Sequence, residues 1–265
     1  MWETFIIQPM VNLLLWIYDI LGHSPHMFGL AIILFTILIK LLTWPLNASQ
    51  VKGSQAMQEL QNDKEWQDIQ KKYAKDREKL AQEQMRIYKE KGINPFASCL
   101  PTLIQFPIII GLYQSIIRAL SATPLDMLKL ARTVYPFQNV ENIIPLNSTF
   151  LWMDLGRPES VQVLGFALPT LAIIVALTTW IQTRLTMPVS SSPNNANDQT
   201  AQMTKMMGIY MPLMLGWFSL TFASGISIYF IVSNLLGIAQ YAATGRANWR
   251  NLLPGSNKQT LPAKK

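Results

Sequence analysis

The sequence predicts an all-α polytopic membrane protein, with five transmembrane helices around a hydrophilic groove, an N-terminal interfacial helix and a cytoplasmic helical hairpin. Two observations predict this class. Half of the 265 residues are hydrophobic and 14% are charged, whereas a typical soluble domain has charge on about a quarter of its residues. The apolar residues also fall in runs of roughly 18 or more, long enough to cross a hydrocarbon core of about 30 Å. Burial in a bilayer therefore replaces a single globular core.

The N-terminal segment, residues 1–26, is predicted to be an amphipathic interfacial helix followed by a loop. It is mostly apolar, but Gln8, Asn12 and Asp19 fall on one helical stripe. The segment lacks the basic start and the small-residue cleavage site of a signal peptide. A helix of this kind is expected to lie in the membrane interface and not to cross the bilayer.

The first predicted span covers residues 27–46, and Trp44-Pro45 marks its end. It contains Lys40, the one charge that lies inside a predicted span instead of at its edge. A charge near the bilayer centre costs about 2.5–3.5 kcal/mol on insertion scales. Position alone leaves two interpretations open, namely retention for a role in the membrane interior, or a side chain that snorkels to the headgroups near Trp44.

Residues 47–93 form a polar stretch with ten Lys or Arg and eight Asp or Glu residues. The stretch lacks Pro, and residues of high helix propensity dominate it. A break around Ala74, with Asp76 as the N-cap of the following helix, divides it into two charged helices. Gly92 is suited to end the second helix. The pattern predicts a charged helical hairpin in the cytoplasm.

The remaining apolar runs predict four more spans. Pro101 and Pro107 interrupt the second span, and Ala223-Ser224-Gly225 divides the last run into a tight helical pair. The predicted spans are residues 94–118, 161–186, 205–222 and 225–243. The connecting segments are an extracytoplasmic loop at 119–160, a cytoplasmic link at 187–204 and a basic cytoplasmic tail at 244–265.

The distribution of Lys and Arg predicts the orientation. Of the 22 Lys and Arg residues, ten lie in the hairpin and five in the tail, and Arg184 and Lys205 flank the link, so five spans place 17 on one side. We therefore expect the N-terminus outside and the C-terminus in the cytoplasm. No transit-like Arg/Ser-rich start is present, which favours a bacterial plasma membrane. The net charge of +7 thus indicates topology, and we expect no DNA partner.

Polar residues in four of the predicted spans are candidates to surround Lys40. Hydrogen bonding between helices is the commoner use of such residues. Because four spans contribute polar groups around one cation, we favour a hydrated cavity over packing alone. The candidate groove residues are Lys40, Thr36, Thr102, Gln105, Tyr113, Thr178, Gln182, Tyr229, Ser233 and Asn234.

The residue inventory argues against an enzyme. The predicted spans contain no His to act as a base and no carboxylate, and the chain has no G-x-S-x-G, H-E-x-x-H or Walker A pattern. One cysteine and two histidines are too few for a zinc cluster. We therefore expect no catalytic residue, no metal and no cofactor.

Several segments, taken in order, resemble the YidC/Oxa-type membrane protein insertases, in a short bacterial form without a large extracytoplasmic domain. Together they cover nearly the whole chain from Phe28 to about Arg246. The segments are Phe28–Ile33 with Lys40 and Trp44-Pro45-Leu46, Gly92–Pro95 leading to Cys99–Ile108, Leu151–Leu155, Met211-Pro212, and Ser224-Gly225 with Tyr229–Leu235.

The resemblance implies a groove that is open to the cytoplasm and the lipid, closed on the outside, and occupied by a positive residue of the first span. Members of this family usually have Arg at the position of Lys40, and many have Pro and Tyr where this chain has Ala223 and Phe230. Lys keeps the charge but lacks the fork with which Arg binds a carboxylate through two parallel hydrogen bonds.

We therefore expect a membrane protein insertase and chaperone that passes client segments from the cytoplasm into the bilayer without nucleotide hydrolysis. Nascent membrane protein clients and the lipid bilayer are the expected partners. The ribosome, through the hairpin and the basic tail, and a Sec-type translocon are further candidates. The alternative is a channel or small-solute transporter that uses the same polar cavity.

Overall fold

The fold is taken from a computed structural model of the chain. It describes residues 3–61, 63–73, 76–94, 100–120, 124–136, 138, 143, 146–163, 166–186, 199–244 and 249. Most of these residues are helical, as the sequence predicts.

The helices are numbered here in chain order. A π-helical turn at Glu3–Ile7 leads into α1 (Gln8–Leu21), and the helices that follow are α2 (Met27–Leu42), α3 (Trp44–Gln61), α4 (Lys64–Lys72), α5 (Arg77–Glu90), α6 (Leu100–Ala119), α7 (Pro124–Thr133), α8 (Thr170–Thr186), α9 (Gln199–Thr221) and α10 (Ser224–Ala243). Four short strands form two antiparallel pairs, β1 (Thr149–Phe150) with β2 (Met153–Asp154), and β3 (Val161–Val163) with β4 (Phe166–Leu168).

The prediction of a helix over 161–186 is wrong at its start, because the first part of this range forms β3 and β4 and the helix begins at Thr170. Pro169 disfavours helical backbone in the residue before it. The β-branched Val161 and Val163 favour a strand. The predicted all-α class is therefore corrected, because the fold also contains two small sheets. Both sheets lie in or beside the predicted extracytoplasmic loop.

Among the described residues, two helical stretches, Glu3–Leu21 and Ser224–Ala243, are long and apolar enough to cross a membrane, and the shorter Met27–Leu42 is apolar as well. The helix Ser224–Ala243 begins one residue before the predicted fifth span. The number of five spans stays a prediction.

The charged hairpin at 47–93 has the predicted second arm. The Asp76 carboxylate accepts a hydrogen bond from Lys79 N at 3.1 Å and caps α5, as expected. Gly92 ends this arm with a φ of +63°, a conformation that glycine adopts at low cost. The first arm differs from the prediction, because Asp63 caps a separate helix α4 by accepting from Glu65 N at 2.9 Å. The stretch therefore forms three helices and not two.

A small core and one ion pair hold α4 against α5. Trp66 and Ile87 are buried between the two helices. Asp63 at the start of α4 pairs with Lys91 just after α5. The hydrogen bond from Lys91, with the Glu65 amide, holds the pKa of the Asp63 carboxyl below its usual value. The Asp63 side chain is therefore ionised at neutral pH.

Residues 149–159, which we call the capping segment, lie across one end of the helical bundle. The amide of His26, just before α2, donates to Thr149 O at 3.1 Å. The Phe150 ring lies directly on Gly29 in the first turn of α2. Methionine and leucine side chains of the segment, Met153 and Leu155, are buried in the main core.

The same segment covers the starts of α8 and α10. Ser224 N donates to Arg157 O at 2.9 Å, and Gly225 N donates to Leu155 O at 3.1 Å. The Glu159 carboxylate accepts from Leu171 N at 3.0 Å. These acceptors satisfy amides that a helix start leaves without partners. The helices α2, α8 and α10 therefore begin at the same end, which we call the capped end, and run parallel from it.

Helix α1 crosses the capped end. Glu3 forms two hydrogen bonds of 2.7 Å with Arg118 in the last turn of α6. The Tyr18 ring contacts Phe28, in the first turn of α2, at 5.5 Å between centroids. Asn12, on the predicted polar stripe, is 2% exposed and bonds the end of α7, donating to Thr133 O at 3.0 Å.

We predict that Gly29→Ala lowers the thermal stability of the protein in detergent. A Cβ at this position overlaps the Phe150 ring, and overpacking of this kind costs about 1–3 kcal/mol. Gly156→Ala is the matched control, because the nearest atom to its Cβ lies at 3.4 Å. Equal melting temperatures for both variants and the wild type would contradict the contact between the capping segment and α2.

Candidate functional site

Lys40 lies in the last turn of α2 and is half-buried. Among the residues that the structure describes, no side chain forms an ion pair or hydrogen bond with its ammonium group. The helices α2, α6 and α8–α10 contain no Asp or Glu. The cation therefore has no countercharge within these helices.

The depth of Lys40 follows from the contact between α2 and α10. A Cβ built on Gly225 lies 3.1 Å from Ile32 Cδ1, so these two positions are level. Lys40 is eight residues beyond Ile32, which is about 12 Å along a helix. The same eight steps along α10 lead from Gly225 to Ser233, the middle of that helix. Lys40 is thus level with the midpoint of a helix long enough to cross a membrane.

Lys40 lies at the boundary between the buried face and the exposed face of α2. Thr36, one turn before Lys40, is fully buried against the bundle. Leu34, Leu38 and Leu41 form an exposed apolar face on the other side. With 3.6 residues per turn, Lys40 falls between the two faces. Its ammonium group therefore lies where the bundle meets its surroundings.

Gln105 and Tyr229 are predicted groove residues that the fold brings together. Gln105 Nε2 donates a hydrogen bond to Tyr229 Oη and joins α6 to α10. Tyr229 is 1% exposed, whereas Gln105 is half-buried and reaches the surface. Ser233 lies one turn beyond Tyr229 on the same face and close to its hydroxyl. This set forms a polar strip across the α6–α10 junction.

Asn234 and Thr178 also come together, but in the interface of α8 with α10. Asn234 Nδ2 donates to Thr178 Oγ1 at 3.1 Å and to Thr179 Oγ1 at 2.8 Å. Asn234 is 8% exposed, and the Thr178 hydroxyl donates to Ile174 O at 2.7 Å. These groups are already hydrogen-bonded to one another. For this pair, helix packing is the better interpretation, and the prediction that they line the groove loses support.

The other predicted groove residues lie apart from the polar strip. The Thr36 hydroxyl donates to Ile32 O of its own helix at 2.6 Å. Tyr113 is exposed and packs on Phe222 near the capped end, at 5.5 Å between ring centroids. Gln182 lies against Gly237 of α10. The side chain of Thr102 lies outside the described residues.

The sequence analysis did not predict two features of the site. Glu159 caps α8 from eleven residues away, and no local pattern predicts such a contact. Gln240 is buried near the end of α10. Gln240 could have been predicted from the sequence, because a glutamine inside an apolar helix costs free energy and is usually retained for a role.

Comparison with known proteins places the chain among membrane protein insertases. The family model described as 60Kd inner membrane protein matches residues 16–250. The membrane protein insertase MisCA of Bacillus subtilis is 33% identical over 243 residues, which is 90% of this chain and 77% of MisCA. The membrane protein insertase YidC of Oceanobacillus iheyensis is 32% identical, over 90% of this chain and 81% of its own length.

A solved structure shows the same fold. The crystal structure of an active YidC insertase, with its first transmembrane domain resolved, matches with a TM-score of 0.51 and 24% identity. The match covers 87% of this chain and 44% of that chain.

We predict that Asn234→Leu lowers the free energy of unfolding by about 1 kcal/mol, because it removes two hydrogen bonds between membrane helices. Unfolding in mixed micelles measures this change. Leu235→Met is the control, since Leu235 is exposed on the same helix. A variant Asn234→Leu that keeps its stability but loses insertion would instead assign Asn234 to client contact.

Proposed function

The chain belongs to the 60Kd inner membrane protein family, and bacterial relatives such as MisCA and YidC are named membrane protein insertases. We propose that it passes client segments from the cytoplasm into the bilayer along a hydrophilic groove around Lys40. Membrane protein clients and the lipid bilayer follow as partners from the family. The groove, its residues and the topology are parts of the proposal.

The position of Lys40 is the observation that carries the proposal. A cation level with the middle of α10 and without a countercharge in the surrounding helices costs about 2.5–3.5 kcal/mol in hydrocarbon. Water at the ammonium group removes much of this cost. The capping segment and α1 cover one end of the bundle, so we infer that water enters from the other end. The groove is then open to the cytoplasm and closed on the outside.

The groove assists insertion by shortening the apolar path. Each unpaired peptide group of a client's polar flank is expensive to move through hydrocarbon. Gln105 and Ser233 offer replacement hydrogen bonds at the polar strip, and Lys40 attracts acidic flanking residues. The Lys ammonium is a compact charge with three donors, so it holds a passing carboxylate without a fixed geometry. No nucleotide is needed for this step.

Release into lipid follows from the apolar faces beside the site. The exposed face of α2 that carries Leu34 and Leu38 borders Lys40. On α6, Phe106 and Ile110 are exposed next to Gln105. A client helix that leaves the groove along these faces buries its own apolar surface in lipid, at about 25 cal/mol for each Å².

The proposed topology has five spans, with the N-terminus outside and the C-terminus in the cytoplasm of a bacterium. The path of α1 across the capped end supports an interfacial helix in preference to a sixth span. The α3–α5 region then faces the cytoplasm, where its exposed lysines are available to ribosomal RNA. We propose the ribosome and a Sec-type translocon as partners on this side. The basic tail lies outside the described residues.

The channel or transporter alternative is not favoured. The relatives are named insertases, and the capping segment closes the end through which a conducted ion would have to leave.

We predict that Lys40→Leu reduces insertion of a short single-span client with an acidic translocated flank by about tenfold, the loss that corresponds to roughly 1.4 kcal/mol. Protease protection of the client in liposomes with purified protein measures insertion. Lys40→Arg should keep the activity because it keeps the charge. Arg132→Gln is the control, as Arg132 is an exposed cation of α7. Full activity of Lys40→Leu would reduce Lys40 to a snorkelling residue, and no insertion by the wild type would contradict the proposed function itself.

A further inference from the structure

A close contact lies deeper along α10 than the polar strip, toward the end opposite the cap. A Cβ on Gly237 would lie 2.6 Å from Gln182 Nε2, so the carboxamide of Gln182 rests directly on the backbone of α10. Gln182 is half-buried. Within the part of the chain that the structure describes, its carboxamide has no hydrogen-bond partner. Glycine at 237 makes the space in which this carboxamide lies.

A second carboxamide lies one turn further on the same face. Gln240 is 7% exposed, and its Nε2 is buried without a hydrogen-bond partner among the described residues. In a helix, side chains three positions apart share a face, and each covers the turn before its own Cα. The Gln240 side chain therefore reaches back toward Gly237, where the Gln182 carboxamide lies. One glutamine from α8 and one from α10 therefore lie on the same side of α10, and among the described residues neither the Gln182 carboxamide nor Gln240 Nε2 has a hydrogen-bond partner.

We propose that Gln182 and Gln240 form an entry site that hydrogen-bonds the peptide backbone of a client's polar flank before the flank reaches Lys40. This inference rests on the proposed function and names the chemistry that the groove recognises first. The geometry excludes an ionic site, because both side chains are neutral. It also places the site about 10 Å from the level of Ser233 and Lys40, since seven residues separate Gln240 from Ser233.

The chemistry of a carboxamide matches a peptide group. Each glutamine offers both a donor and an acceptor, and an unfolded flank presents both on every residue. Recognition of the backbone is independent of side chains, which suits a protein that handles many clients. Buried polar groups in membrane proteins normally have partners. Gln240 Nε2 is buried and has none among the described residues, which supports a partner that arrives during function.

The order of contacts then follows from the positions along α10. A flank entering from the cytoplasm first meets Gln240 and Gln182, where its peptide groups exchange water for carboxamides. It next reaches Ser233 and Gln105, and Lys40 draws any acidic residue inward. The hydrophobic part of the client needs none of these contacts. Clients with a longer polar flank should therefore depend more on the two glutamines.

Insertion of two clients that differ only in the length of the translocated polar flank tests the dependence. Gln240→Met and Gln182→Met keep the side-chain volume and remove the hydrogen-bonding groups. We expect each variant to insert the long-flank client roughly three- to tenfold more slowly than the wild type, as for a lost hydrogen bond, and to slow the short-flank client less. Gly237→Ala should give the same selective loss, because its Cβ displaces the Gln182 carboxamide.

Disulfide cross-linking tests the contact directly. In a Cys99→Ser background, a client cysteine in the polar flank should cross-link to Gln240→Cys, and not to Leu235→Cys on the exposed side of the same helix. Cross-linking at 235 instead of 240, or at neither, would overturn the entry site. Equal slowing of both clients would also overturn it, because it indicates a purely structural role. In these outcomes the wild type still inserts both clients and the proposed function stands, whereas failure of the wild type would overturn both.

Discussion

One uncompensated cation sets the main constraint on this fold. Lys40 lies level with the middle of α10, and α2, α6 and α8–α10 contain no carboxylate. In the proposed function an ammonium group in that position is hydrated, because no countercharge is available to it from these helices. The proposed water path enters the bundle from one end, since a path open at both ends would conduct. The proposed groove with one closed end satisfies both requirements.

The capping segment is short, and it covers one end of the bundle. It satisfies the first amides of α8 and α10 through Leu155, Arg157 and Glu159 and presses Phe150 onto α2. The helices α2, α8 and α10 are thus fixed at their starts. The polar residues of these helices fall into two groups. Some, such as Asn234, bond neighbouring helices, and those at the α6–α10 junction remain near the surface.

Local signals in the sequence predicted much of the fold. The break before α10 and the capping role of Asp76 depend on a few neighbouring residues, and both occur where expected. The strands β3 and β4 escaped prediction because their apolar run also suits a helix. The sequence predicted which polar residues belong to the candidate site, but it did not predict which of them contact one another. Whether Ser233 or Asn234 faces the groove depends on the rotation of α10, which only packing against α8 determines.

In the proposed groove, water reaches the polar strip from the cytoplasm and not from outside. Reaction of Gln105→Cys, in a Cys99→Ser background, with a membrane-impermeant maleimide in oriented vesicles measures this access. We expect labelling from the cytoplasmic side and none from the outside, with Ile110→Cys on the exposed apolar face of α6 unlabelled from both. Labelling of Gln105→Cys from the outside, or from neither side, would exclude a groove that is open to the cytoplasm alone.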